Sequence, residues 1–327
     1  MTETLQSVEP AAASDDGRLE VISGGRRLLA PGTWLRRTER SQRRRPRPLP
    51  LSSVVLVWSC LGLAALAVWS LFYAFALSGL QAQRSQTELY AQFREELSLA
   101  TAPLGGAITA GSPVAVLDAP QVGIHNLVVV EGTASGQLQA GPGHRRDTAL
   151  PGQVGYSVLY GRSVMFDAPF GSVARLMPGQ TLNVVTGQGS YTYAVEDVRR
   201  AGDRLPPPLS SDGSRLVLVT SEGAGWQSGW APTHLVYVDA VLKGQAGPAP
   251  AGRPSSVSVV ELAMHGDPGA LVLVVLWLQM FAAASLAVVW LAMRWGRWQA
   301  WLVGLPVLVA CLWGVTSAAV QLLPNLL

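Results

Sequence analysis

Lysine is almost missing from this chain: Lys243 is the only one. Cysteine is nearly as scarce, with Cys60 and Cys311 each lying inside a long apolar run. That placement excludes a disulfide framework and leaves no cysteine spacing for a metal. Charge is thin as well. Asp, Glu, Lys and Arg make up 14% of the residues and hydrophobic residues 49%, where soluble domains carry about 25% charged residues. No phosphate-binding glycine loop is present, because GTASGQ and GQGS lack both the spacing and the lysine of one. No cofactor is expected. Nor is a metal, since the histidines His125, His144, His234 and His265 are scattered.

What remains is an apolar chain punctuated by arginine. Seven arginines fall between Arg36 and Arg47, opposed only by Glu39. Such a cluster can bind phosphate, but this one stops at the edge of an apolar run. It therefore reads as a topology signal that keeps the N-terminal side in the cytoplasm, not as a nucleic-acid site. The arginine, alanine and glycine bias also suggests a GC-rich genome of actinobacterial type.

Residues 1–50 lack periodicity and read as a disordered basic tail. Leu51 to Leu80 contains no charge and is long enough to cross a bilayer core of ~30 Å. A cleaved signal peptide would be shorter and nearer the N-terminus. Residues 81–105 form a stalk, with Leu89, Phe93 and Leu97 on one helical face. Between 106 and 243, short β-rich runs alternate with glycine and proline: VAVLDA, HNLVVVEG, YSVLYG, TLNVVTG, YTYAVEDV, RLVLVTS and HLVYVDAVL. That spacing predicts a closed or nearly closed β-barrel. Residues 244–268 read as a linker. Two further spans are expected at 269–293 and 298–323, joined by the tight loop Arg294-Trp295-Gly296-Arg297. Its arginines favour the cytoplasm. The expectation is a multi-pass cell-membrane protein with a cytoplasmic N-terminus and an extracytoplasmic domain. Gly304, Ala310, Gly314, Ala318 and Ala319 would allow close helix packing, either between the last two spans or against a membrane protein partner.

Several motifs fall in one order: LYAQFREEL, VVVEGTASGQLQAGPGH, TALPGQVGYSVLYG, DAPFGSVARLMPGQTLNV, LVLVTS and HLVYVDAVL. Together they resemble the sortase family, and class E sortases most closely, over most of residues 84–243. The resemblance implies a mainly β fold: a sortase-type β-barrel with one N-terminal and two C-terminal transmembrane helices. A sortase is a cysteine transpeptidase that holds an exported protein as a thioester and passes it to a cell-wall amine. It needs a histidine, a cysteine and an arginine. By this resemblance those positions are Arg162, Ser221 and His234. All three depart from the family pattern.

The departures have chemical consequences. A thiol can be brought to thiolate near neutral pH, whereas a serine hydroxyl needs a general base. Arg162 stays protonated and cannot be that base. Two readings stay open. In the first, the transpeptidase centre is degenerate and the barrel binds or scaffolds an exported protein or peptide, or a cell-wall component. In the second, His234 is the base for Ser221 and Arg162 holds the oxyanion, giving a serine acyl-transferase or hydrolase. Asp167, Glu222 and Asp239 could orient that histidine. The flanking TSEGAGW lacks a G-x-S-x-G elbow. A third reading makes the domain a sensor that signals through the basic tail.

Overall fold

The structure, a computed structural model, describes residues 51–223 and 234–327. The expected basic tail lies outside the described residues. The chain divides into two units, Met1–Ser53 and Val54–Leu327; the barrel belongs to the second, as do the described helices beyond the first three residues of the N-terminal one.

The seven β-rich runs form strands, and an eighth, two-residue strand completes the barrel. In chain order they are β1 (Pro113–Ala119), β2 (Ile124–Glu131), β3 (Gly143–His144), β4 (Gly155–Tyr160), β5 (Thr181–Thr186), β6 (Gly189–Arg200), β7 (Ser214–Glu222) and β8 (His234–Lys243). They close in the order β1-β2-β3-β4-β7-β8-β6-β5. The pairs β2/β3 and β4/β7 are parallel. β2 and β3 share only two residue pairs, and the Gln86 side chain bonds the β2 backbone at Val128 beside them.

Strand alternation sorts side chains between two apolar clusters. Leu216 and Leu218 of β7 and Val238 and Ala240 of β8 point into the barrel with Leu117, Leu159, Leu182 and Tyr193. Val217 and Val219 point the other way, where they meet Tyr160, Leu138 and Leu326. Because β7 is covered on both faces, SRLVLVTS reads as a continuous run and not as an alternation.

Four long helices accompany the barrel among the described residues. α1 (Leu51–Phe72) passes through a single π turn at Tyr73–Leu77 into α2 (Ser78–Ser98), which is the one that packs along the barrel. The expected stalk is docked on the barrel. Phe93 is fully buried against Val116 and Val128, with Leu89 and Leu97 beside it. Gln86 fastens it, donating from Nε2 to Val128 O (3.1 Å) and Ala140 O (2.7 Å) while Oε1 accepts from Val128 N (2.8 Å). The segment 244–268, expected as a linker, is pinned as well. Gly247 bridges to Gln153, and Glu261 O accepts from Thr133 Oγ1 at 2.6 Å.

α3 (Ala270–Arg294) and α4 (Arg297–Val320) form a hairpin. A Cβ at Gly304 would sit 2.4 Å from Val288, and one at Gly314 would sit 2.3 Å from Trp277. These small residues serve packing within the hairpin. Among the described residues, three helices are long and apolar enough to cross a membrane. The helix stops at Val320, before the end of the expected span at 323, and Gln321–Leu327 turn back onto the barrel.

Candidate active-site cleft

β4 and β7 run parallel, and their last shared pair is Tyr160↔Val219. Two residues further along each strand come Arg162 and Ser221. Both continue the outward face of their strands, so the register brings them to one cleft. Gly161 N donates to Val219 O (3.0 Å) and Thr220 Oγ1 to Gly161 O (3.1 Å), which holds the two strand ends together.

Arg162 is fully buried. Its Nε donates to Leu138 O (3.2 Å) and Nη1 to Leu327 O (3.1 Å). Nη2 donates to Ser135 O (3.0 Å) and Ser135 Oγ (2.8 Å). The guanidinium lies 5.0 Å from the Phe166 ring centre, which adds a cation–π contact. Among the described residues no Asp or Glu pairs with it. Burial of the charge lowers its pKa to about 10, so the group is still a cation at neutral pH. Phe166, Asp167 and Ala168, in the loop that carries the ring, all have positive φ (56°, 67° and 44°). That is costly backbone for residues with side chains.

Ser221 is 4% exposed. Its hydroxyl donates to Leu326 O at 2.6 Å and lies 2.9 Å from Ser163 Oγ. Ser163 also approaches Leu326 O, from N at 3.2 Å and from Oγ at 3.1 Å. Leu326 itself is fully buried. A backbone carbonyl therefore sits among donors from Ser163 and Ser221, with its side chain in the outer apolar cluster.

His234 stands apart from this pair. It faces Glu222 across β7/β8, while Ser221 faces Leu235. Alternation along β8 turns it toward the same side as Val236 and Val238, opposite to Ser221. It is exposed. Two of the three candidate orienting acids are held in ion pairs. Asp239 pairs with Arg199, and Glu222 with Arg200 at 2.9 Å. Asp167 lines an open cavity of about 410 Å³ whose walls include neither Arg162 nor Ser221.

Residues 117–228 match the family model of the sortase domain. Arg162 and Ser221 fall inside the matched span and His234 beyond it. Sortase D of Bacillus subtilis (strain 168) is 31% identical over 129 residues, 39% of this chain and 63% of the relative's length. The chain therefore spans less than two thirds of that relative. Among solved structures, a Clostridium perfringens sortase D5 transpeptidase is 20% identical, covers 49% of this chain and 99% of its own, and superposes with a TM-score of 0.40. Sortase E from Streptomyces avermitilis is 27% identical, covers 42% and 92%, and superposes with a TM-score of 0.35. The closed eight-stranded barrel is of the sortase type, and among the described residues three helices of the same chain are long and apolar enough to cross a membrane.

The other two histidines of the sortase-like domain lie elsewhere in the fold. His144 is buried, with Nδ1 2.8 Å from Glu131 Oε2 and Nε2 2.9 Å from Ala149 O, so each ring nitrogen faces an acceptor. His125 is exposed and lies 3.4 Å from Asp118. The expected site residues omitted Ser163 and the segment ending in Leu326 and Leu327. Ser163 could have been found as the neighbour of Arg162. The segment had one signal, the Pro324-Asn325 step that interrupts an apolar run.

Proposed function

We propose that this chain is a membrane-held, class E-like pseudo-sortase whose cleft binds an exported peptide, or a peptide-bearing cell-wall component, without cutting it. The basic tail would lie in the cytoplasm and the barrel outside, among actinobacterial surface proteins. One observation carries the reading: the Ser221 hydroxyl donates to a peptide oxygen at 2.6 Å. A nucleophile would instead aim its lone pair at the carbonyl carbon, with a base taking the proton. Among the described residues, the Ser221 hydroxyl bonds with Ser163 and a backbone oxygen, and neither is a base at neutral pH. Arg162 remains a cation, able to hold carbonyl oxygens but not to accept a proton.

The alternative, Ser221 as nucleophile with His234 as base, requires the imidazole to reach across the strand to the opposite face. A serine-directed fluorophosphonate separates the two readings on the full-length protein in lipid nanodiscs. Binding without catalysis predicts no adduct at Ser221. An adduct that disappears in Ser221→Ala would establish the acyl-transferase reading instead.

A further inference from the structure

The cleft already holds a peptide, and the peptide belongs to the same chain. Beyond α4, Asp267 N donates to Gln321 O at 2.8 Å. Asn325 is fully buried. Its N donates to His265 O (3.0 Å), and its Nδ2 to Thr133 O (2.8 Å) and Leu262 O (3.0 Å). The Leu326 side chain then fills the space between Leu138, Tyr160, Val217 and Val219. Its carbonyl enters the Ser163–Ser221 clamp, and Leu327 O accepts from Arg162. Side chain, carbonyl and following carbonyl are thus each met by a separate feature of the cleft.

We propose that Leu323–Leu327 is a tethered occupant that closes the cleft to other peptides. This rests on the peptide-binding reading and extends it to ligand class and control. A competing ligand must be an extended peptide with a leucine-sized side chain next to a free peptide carbonyl. It enters when the segment lifts. Tethering gives the segment an effective concentration in the millimolar range. The segment follows α4 directly, and Gln139 Nε2 donates to Ser317 O near the helix end at 3.1 Å. Release of the cleft is therefore coupled to movement of the last span.

The test uses the full chain in nanodiscs with Ser221→Cys and a charged methanethiosulfonate reagent. Cys60 and Cys311 lie in apolar helices, and the parent chain measures their background. Labelling at position 221 is expected to be slow. It should accelerate at least tenfold in Leu326→Asp and in a chain lacking residues 324–327, each checked for folding by thermal melt. A fluorescent peptide with the sequence of residues 321–327 should bind both altered chains at least tenfold more tightly than the parent. Equal labelling rates in all three would overturn the occupant. Accelerated labelling with no peptide bound would keep the occupant and overturn the peptide-binding reading beneath it.

Discussion

Ser221 Oγ donates to the backbone oxygen of Leu326 at 2.6 Å, across 105 residues of sequence. The contact joins the end of a barrel strand to the segment that leaves the apolar helix α4. The chemistry of the cleft and the arrangement of the helices are therefore parts of one structure.

Arg162 is the centre of that arrangement, because its donors satisfy the backbone of Ser135, Leu138 and Leu327. Arg162→Met keeps much of the apolar stem but leaves the backbone oxygens of Ser135, Leu138 and Leu327 without that partner. Each buried orphan costs about 1–3 kcal/mol. The expected loss is about 3 kcal/mol, read as a lower Tm in detergent. Arg162→Lys should recover only part of it, since an ammonium cannot reproduce the planar fork.

Gln86 ties α2 to the barrel through three hydrogen bonds. Gln86→Leu is expected to cost about 2–3 kcal/mol at about 1 kcal/mol per bond. Limited proteolysis should then cut near 99–112 sooner than in the parent. Unchanged protection would mean that the apolar contacts of Phe93 alone hold the helix.

Gly143 belongs to the shortest strand, and a Cβ there would sit 2.1 Å from the backbone oxygen of Gly132. Backbone cannot swing away as a side chain can. Gly143→Ala should therefore destabilise the barrel by about 3 kcal/mol. Gly123→Ala meets no atom within 4 Å but has φ +77°, so it should cost about 1 kcal/mol through backbone strain alone.

Alkaline pH tests the core. Burial raises the pKa of the Tyr193 phenol, which accepts from Gly152 N (2.6 Å) and bonds with Ser214 Oγ (2.9 Å). An unfolded tyrosine loses its proton near pH ~10, while the folded one keeps it. The folded state then holds more protons, and stability falls as pH rises past about 10. Tyr193→Phe should lower stability at pH 8 yet flatten this decline. Equal slopes in the two proteins would show that Tyr193 does not contribute to it.

Much of this architecture was legible in the chain. β-branched runs between glycine and proline marked seven strands, uncharged runs marked the apolar helices, and the spacing of Leu89, Phe93 and Leu97 marked the charged helix that docks on the barrel. The glycine-rich GPGH stretch hid β3, because two residues carry no periodicity. The cleft was half legible. Arg162 and Ser221 were named by resemblance, and they lie at the ends of β4 and β7, but the direction of His234 depends on register, and a one-residue slip reverses every side chain. Leu326 was hidden for a different reason. A leucine that fills a protein cleft and one that faces lipid have the same composition, and only Pro324 and Asn325 set that segment apart.

The most direct test is intact-mass spectrometry of the full-length protein after exposure to a p-nitrophenyl ester of an apolar peptide. It is run on the parent and on Leu326→Asp, so that the cleft is accessible in at least one of them. A cleft that only holds carbonyls predicts an unchanged mass in both, and p-nitrophenol release no faster than in Ser221→Ala. An acyl-sized mass increase mapped to Ser221, with a burst of p-nitrophenol, would contradict the account.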